Sequence, residues 1–163
     1  MSLSRFVTTL ALAVATSACV AACSSNKDAP GGDAGEDSAD LVGCDDPRVQ
    51  TYAANMQVPG AGKVFTFVLV SSNPSPPADE TNTWTLQILD ASGNPVNGVT
   101  GTATPTMPFM SHGTIPVDWT AAGNGTYTLT PLYLFMAGFW EVAITAEAGG
   151  KTDSASFYFC IPG

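Results

Sequence analysis

The chain reads as an all-β protein, an immunoglobulin-like β-sandwich of about seven strands, and three observations carry that reading. Apolar residues recur with period two from Val64 onward, turn signals interrupt the pattern at short intervals, and nothing between Cys44 and Gly163 carries a helical stripe. Short alternating runs are half-buried strands, because successive side chains of a strand point to opposite faces of its sheet.

Taken in order, a weak strand falls near Thr51 to Val58. Phe65, Phe67 and Leu69 then alternate with Thr66 and Val68, and Trp84, Leu86 and Ile88 alternate with Thr85 and Gln87. Asp90-Ala91-Ser92-Gly93-Asn94-Pro95 is a turn, because Asp, Asn and Gly accept the backbone angles that a reversal needs. Val99 to Thr104 and Thr114 to Trp119 are the next runs, and Ala121-Ala122-Gly123-Asn124-Gly125 closes them. Thr126 to Thr130 follows. Phe139 to Ala146 then carries Trp140, Val142 and Ile144 on one face, and Ser154 to Cys160 carries Ala155, Phe157 and Phe159 on one face. The last two strands are expected to pair across Gly149-Gly150.

Residues 44–163 are therefore the domain, and the residues before it are read as an address. Arg5 and the apolar run Phe6 to Val14 predict an export signal over residues 1–22, too short in its apolar part to span a bilayer. Val20-Ala21-Ala22-Cys23 resembles a bacterial lipobox, which makes Cys23 the expected acylated N-terminus of the mature chain. Thr16-Ser17-Ala18-Cys19 competes but lacks the aliphatic first residue, and ordinary signal cleavage near Ala22 without a lipid is the plain alternative. Ser24 and Ser25 after the cysteine resemble an outer-membrane address, so the expected location is the cell envelope, facing the periplasm or the surface. Residues 23–43 carry five acids and one lysine with little that is large and apolar, the composition of a flexible tether. Twenty such residues reach about 25 Å r.m.s..

Cys44 and Cys160 remain, and in an exported chain an even pair predicts a disulfide before a metal site. Closing so long a loop is worth about 4 to 5 kcal/mol in the chain-entropy account. It predicts that the first and last segments of the domain lie side by side.

Composition narrows the function. Fourteen acids against five bases give a formal net charge of -9, which disfavours nucleic acid as a partner. With His112 as the one histidine, chemistry that needs two imidazoles within the chain is excluded. A Ser-His-Asp arrangement would need Ser111, His112 and Asp118, without a nucleophile-elbow sequence. Asp90, Asp118, Glu141 and Glu147 read as solvated acids of a sandwich, and Asp28 to Asp46 match no calcium-loop spacing. The expectation is a protein that is not an enzyme.

The densest unusual stretch is Met107-Pro108-Phe109-Met110-Ser111-His112-Gly113, with two thioethers and the imidazole in one loop. Thioether sulfur and imidazole nitrogen together favour copper, Cu(I) above all, over hard cations. Gly125-Thr126-Tyr127 and Met136-Ala137-Gly138-Phe139-Trp140 follow as a G-x-Y and an M-x-G-x-W element. In this order, from about Gly98 to Phe159, the motifs resemble the YtkA-like domain family, relatives of the FixH-like proteins. The resemblance implies a small exported β-sandwich, often membrane-anchored, around copper handling or respiratory-oxidase assembly, with a metal site on Met107, Met110, His112 and Met136. Ser111 departs from the family's M-G-H pattern. Each candidate also has a packing reading: Met107, Met110 and Met136 as core fillers, His112 as an exposed turn residue, and Tyr127 as a hydroxyl donor to a backbone carbonyl. Two functions stay open at this point, a copper-binding lipoprotein and a non-enzymatic module that binds a protein partner without metal.

Overall fold

The computed structural model describes residues 41–163, in which nine strands form: β1 (Met56–Pro59), β2 (Phe65–Asn73), β3 (Thr81–Asp90), β4 (Thr100–Met107), β5 (His112–Gly113), β6 (Val117–Gly123), β7 (Thr126–Tyr133), β8 (Gly138–Ala148) and β9 (Lys151–Ile161). The expected signal peptide, the acylation at Cys23 and the tether as far as residue 40 lie outside the described residues. Every pairing is antiparallel. The order is β1-β2-β3-β7-β6-β4-β8-β9, with β5 paired to β4. β2-β3-β7-β6 against β4-β8-β9 is the four-on-three arrangement of an immunoglobulin sandwich. β6 joins the two layers, because its first residues pair with β4 (Ala103 opposite Val117) and its later ones with β7.

The count exceeds the expected seven for two reasons. β1 is a genuine edge strand on β2, where the sequence shows a weak run. β5 is two residues long, too short to carry a pattern, and exists only because the chain after Met107 folds back on β4. Two boundaries also move. β6 begins at Val117 rather than Thr114, just after Pro116, which has no N–H to give a ladder. β7 runs on through Pro131 to Tyr133, with that proline inside a bulge where the register against β3 shifts between Asn82 and Trp84.

The inward faces are those the alternation marks. Phe67, Leu69, Trp84, Leu86, Ile88, Leu129, Trp140, Val142, Ile144 and Phe157 are buried, and Trp84 stands edge-on to Phe157 and Phe159 at 5.9 and 5.7 Å. Two buried polar residues extend the same parity to the strand ends. Asn82 continues the Trp84-Leu86-Ile88 face of β3 and satisfies itself on Ala78 and Glu80. Asp153 continues the Ala155-Phe157-Phe159 face of β9. It is 4% exposed and accepts N–H donors from Gly62 (2.7 Å), Val64 (2.8 Å), Phe65 (2.9 Å) and Ser154 (2.9 Å). Burial pushes its carboxyl pKa up, but the donated bonds outweigh burial and hold it below the usual carboxylate range. Asp153 thereby ties the β1–β2 loop to the opposite layer, in the space left by the missing side chain of Gly60.

The disulfide forms as expected, Cys44 to Cys160 with Cα atoms 5.2 Å apart. It lays the segment from Leu41 to Gln50 along β9 and the start of β8, where Gln50 N–H donates to the Tyr158 carbonyl at 2.8 Å. Leu41 to Gly43, read as the end of the tether, belong to the folded part: the Cys44 N–H donates to the Leu41 carbonyl, and Phe139 N–H to that of Val42 at 3.0 Å. This segment explains why Phe139, on the outward face of β8, is 1% exposed. Phe139 stacks on Tyr158, and the Arg48 guanidinium sits 5.1 Å from both ring centroids while pairing with Asp46.

Candidate functional site

The strand directions bring three uncharged connections to one end of the sandwich: the β4–β5 hairpin with the link to β6 (108–116), the β7–β8 loop (134–137) and the entering chain at 41–43. All four candidate ligands sit there. Met107 closes β4 and His112 opens β5, and the register sets them directly opposite each other. Opposed residues of an antiparallel pair have Cβ atoms about 5 Å apart. Met110 lies in the turn between them, its N–H donating to the Met107 carbonyl at 3.0 Å. Ser111 takes φ 52°, the left-handed conformation that glycine adopts with least strain, which is the physical sense of a glycine at that position.

Met136 reaches the same end through the M-x-G-x-W element, whose parts now have mechanical roles. The Trp140 indole N–H donates to the Met136 carbonyl at 2.8 Å and fixes the loop ahead of β8. Gly138 has φ 130°, and a Cβ there would lie 3.0 Å from the Met107 methyl and 3.2 Å from the Val42 carbonyl oxygen. Glycine is what lets β8 start against Met107. The donors grade from inside to outside: Met107 is 1% exposed and part of the core, Met110 and Met136 are half-buried against it, and His112 is exposed.

The G-x-Y element works at the far end. Gly125 has φ 66° and leaves no room for a Cβ against Pro95. The Tyr127 hydroxyl donates to the Val96 carbonyl at 2.8 Å and accepts the Val99 N–H at 2.9 Å, pinning the β3–β4 connection. Its task is structural.

Among the described residues, the four candidate acids do not meet at one point. Asp90 caps its own turn by accepting the Ser92 and Asn94 N–H groups, at the end away from His112. Glu141 accepts the Ser156 and Tyr158 hydroxyls on the outer face. Asp118 and Glu147 share a shallow depression with Thr100, Thr102 and Thr145. Among the described residues no three His, Cys, Asp or Glu side chains converge in the manner of a metal site. The end at Met107 carries three thioethers and one imidazole, at different depths.

Sequence reasoning missed Asp153, Asn82 and the Arg48 clamp. The first two share the parity of the buried face in their strands, a signal present in the pattern. Arg48 had none, because its partners lie about 90 to 110 residues away in sequence.

A family model described as YtkA-like matches residues 60–145, which contain every candidate ligand, both glycine motifs and all strands from β2 to most of β8. No curated protein matches the chain. No solved structure matches it either.

Proposed function

The chain belongs to the YtkA-like family, and from that premise we propose that it is a lipid-anchored protein of the cell envelope whose β-sandwich binds Cu(I) at one end, through Met107, Met110, His112 and Met136, for metal handling or oxidase assembly and without catalysis. The observation that carries the reading is the hairpin register, which sets Met107 opposite His112 with Met110 in the turn between them. Gly138 and Trp140 add support by holding the Met136 loop against Met107. The residues fit the ion by chemistry: thioethers and one imidazole, with no carboxylate in the hairpin to favour a hard cation. A bound Cu(I) would supply a transferable soft cation. The protein's part is to present half-buried sulfurs beside an exposed imidazole. The Val20-Ala21-Ala22-Cys23 sequence supports the anchor.

One observation favours a second reading, an interaction module without metal: Met107 is a core residue at 1% exposure, as a packing role requires. Cu(I) titration against a competing chelator separates the two. Met110→Ala and His112→Ala are each expected to weaken binding at least about tenfold. His112 is exposed, so its loss does not act through unfolding. Equal, weak binding by wild type and both variants would sink the copper reading.

A further inference from the structure

Five large apolar side chains stand exposed among the described residues: Val42 (46%), Phe109 (54%), Ile115 (68%), Tyr133 (36%) and Phe135 (53%). All five lie at the Met/His end of the sandwich. Phe109 leans on Phe139 at 5.4 Å and Phe135 on Trp140 at 5.9 Å, so both rings are propped on the core and held outward. Residues 107–117, 131–140 and 41–43 carry no Asp, Glu, Lys or Arg. The opposite end carries Lys63, Asp90, Glu147 and Lys151. Apolar residues scattered over a surface need no explanation, whereas all of them at one end do, here with the Arg48–Asp46 pair, Asp79 and Glu80 at its margin.

We propose that this end is a membrane-docking surface, with Val42, Phe109, Ile115 and Phe135 entering the headgroup region of a zwitterionic leaflet. Lipid is favoured over a second copy because the chain joins the domain here: Val42 is at once one of the exposed residues and the acceptor of the Phe139 N–H. The proposal rests on the reading of Cys23 as acylated. Seventeen residues lie between Cys23 and Leu41, and a flexible chain of that length has an r.m.s. reach of about 20 to 25 Å. It would hold the end it joins near the bilayer at an effective concentration of about millimolar, so shallow insertion of a few side chains suffices. Asp79 and Glu80 flank this end, since the Leu134 N–H donates to the Glu80 carbonyl, and with the acidic tether they disfavour an anionic leaflet.

The test uses the mature acylated chain on vesicles of phosphatidylethanolamine and phosphatidylcholine, with a nitroxide attached through Ile115→Cys or, at the opposite end, through Ser92→Cys. Docking shields the label at position 115 from an aqueous nickel chelate and opens it to oxygen, while the label at position 92 stays aqueous. Phe109→Ser combined with Phe135→Ser is expected to lower the docked-to-free ratio about tenfold, and unchanged thermal unfolding of that variant shows that its fold is intact. Two equally aqueous labels overturn the proposal. Shielding of position 115 without vesicles, growing with protein concentration, also overturns it and identifies a second copy as the occupant. The mass of the N-terminal fragment reads the anchor separately. If Cys23 carries no acyl group, the anchor reading fails by itself, and the same label in the unacylated chain at saturating vesicles decides the docking surface.

Discussion

Replacing Asp153 with alanine removes one carboxylate and strands four backbone donors, on Gly62, Val64, Phe65 and Ser154. At 4% exposure water does not take the place of the lost oxygens. A buried donor left without a partner costs about 1 to 3 kcal/mol. Allowing the β1–β2 loop to relax toward solvent, the expected loss is about 3 to 5 kcal/mol, a large part of a small domain's stability. The assay is urea unfolding followed by the fluorescence of the buried Trp84 and Trp140, with the disulfide intact. pH supplies the decisive check. Asp153 has a folded pKa below its unfolded value of about 3.9, so the carboxylate's contribution is fully present above the unfolded value and fades as pH falls through the folded one. The gap between wild type and Asp153→Ala is therefore constant from pH 7 to about pH 5 and narrows below about pH 4. A gap of the same size at pH 3 and pH 7, or one below about 1 kcal/mol at neutral pH, refutes the reasoning.

Gly138→Ala puts a methyl into the Met107 methyl and the Val42 carbonyl at φ 130°, and is expected to cost about 2 to 4 kcal/mol by urea unfolding, with Cu(I) affinity falling in parallel. Ser111→Gly relieves the left-handed conformation at φ 52° and is expected to stabilise the domain by about 0.5 to 1 kcal/mol, less than the strain itself because glycine also gains freedom in the unfolded chain. Cys44→Ala with Cys160→Ala opens a loop of 116 residues and is expected to lower stability by about 2 to 5 kcal/mol, with increased proteolysis of the Leu41–Gln50 segment that the bridge holds on β9.

Much of the YtkA-like domain was legible because period-two alternation states which face of a strand is buried, whatever that face meets. Phe67, Trp84, Trp140 and Phe157 could be assigned inward from their neighbours alone, and the Cys pair announced that the two ends of the domain meet. The same parity extended to Asn82 and Asp153. There the polar identity of the residue hid what its position said, since a buried acid is tolerable only when donors from a distant loop converge on it, and no local pattern records a convergence.

At the candidate site the division is similar. The soft-ligand chemistry of Met107, Met110, His112 and Met136 stood in the sequence, because donor type belongs to the side chain. Whether those donors share one end depended on β4, β7 and β8 running so that residues 107–112 and 136 leave the sheets on the same side, and on a two-residue strand that no periodicity could reveal. The sequence by itself determined strand faces, the disulfide and the donor chemistry, all of which depend on residues near one another in the chain or on residue type alone. Only the tertiary structure decided the graded burial of the four donors, the Arg48 clamp, the Asp153 knot and the gathering of Val42, Phe109, Ile115, Tyr133 and Phe135 at one end, since each depends on which distant segments the sandwich brings into contact.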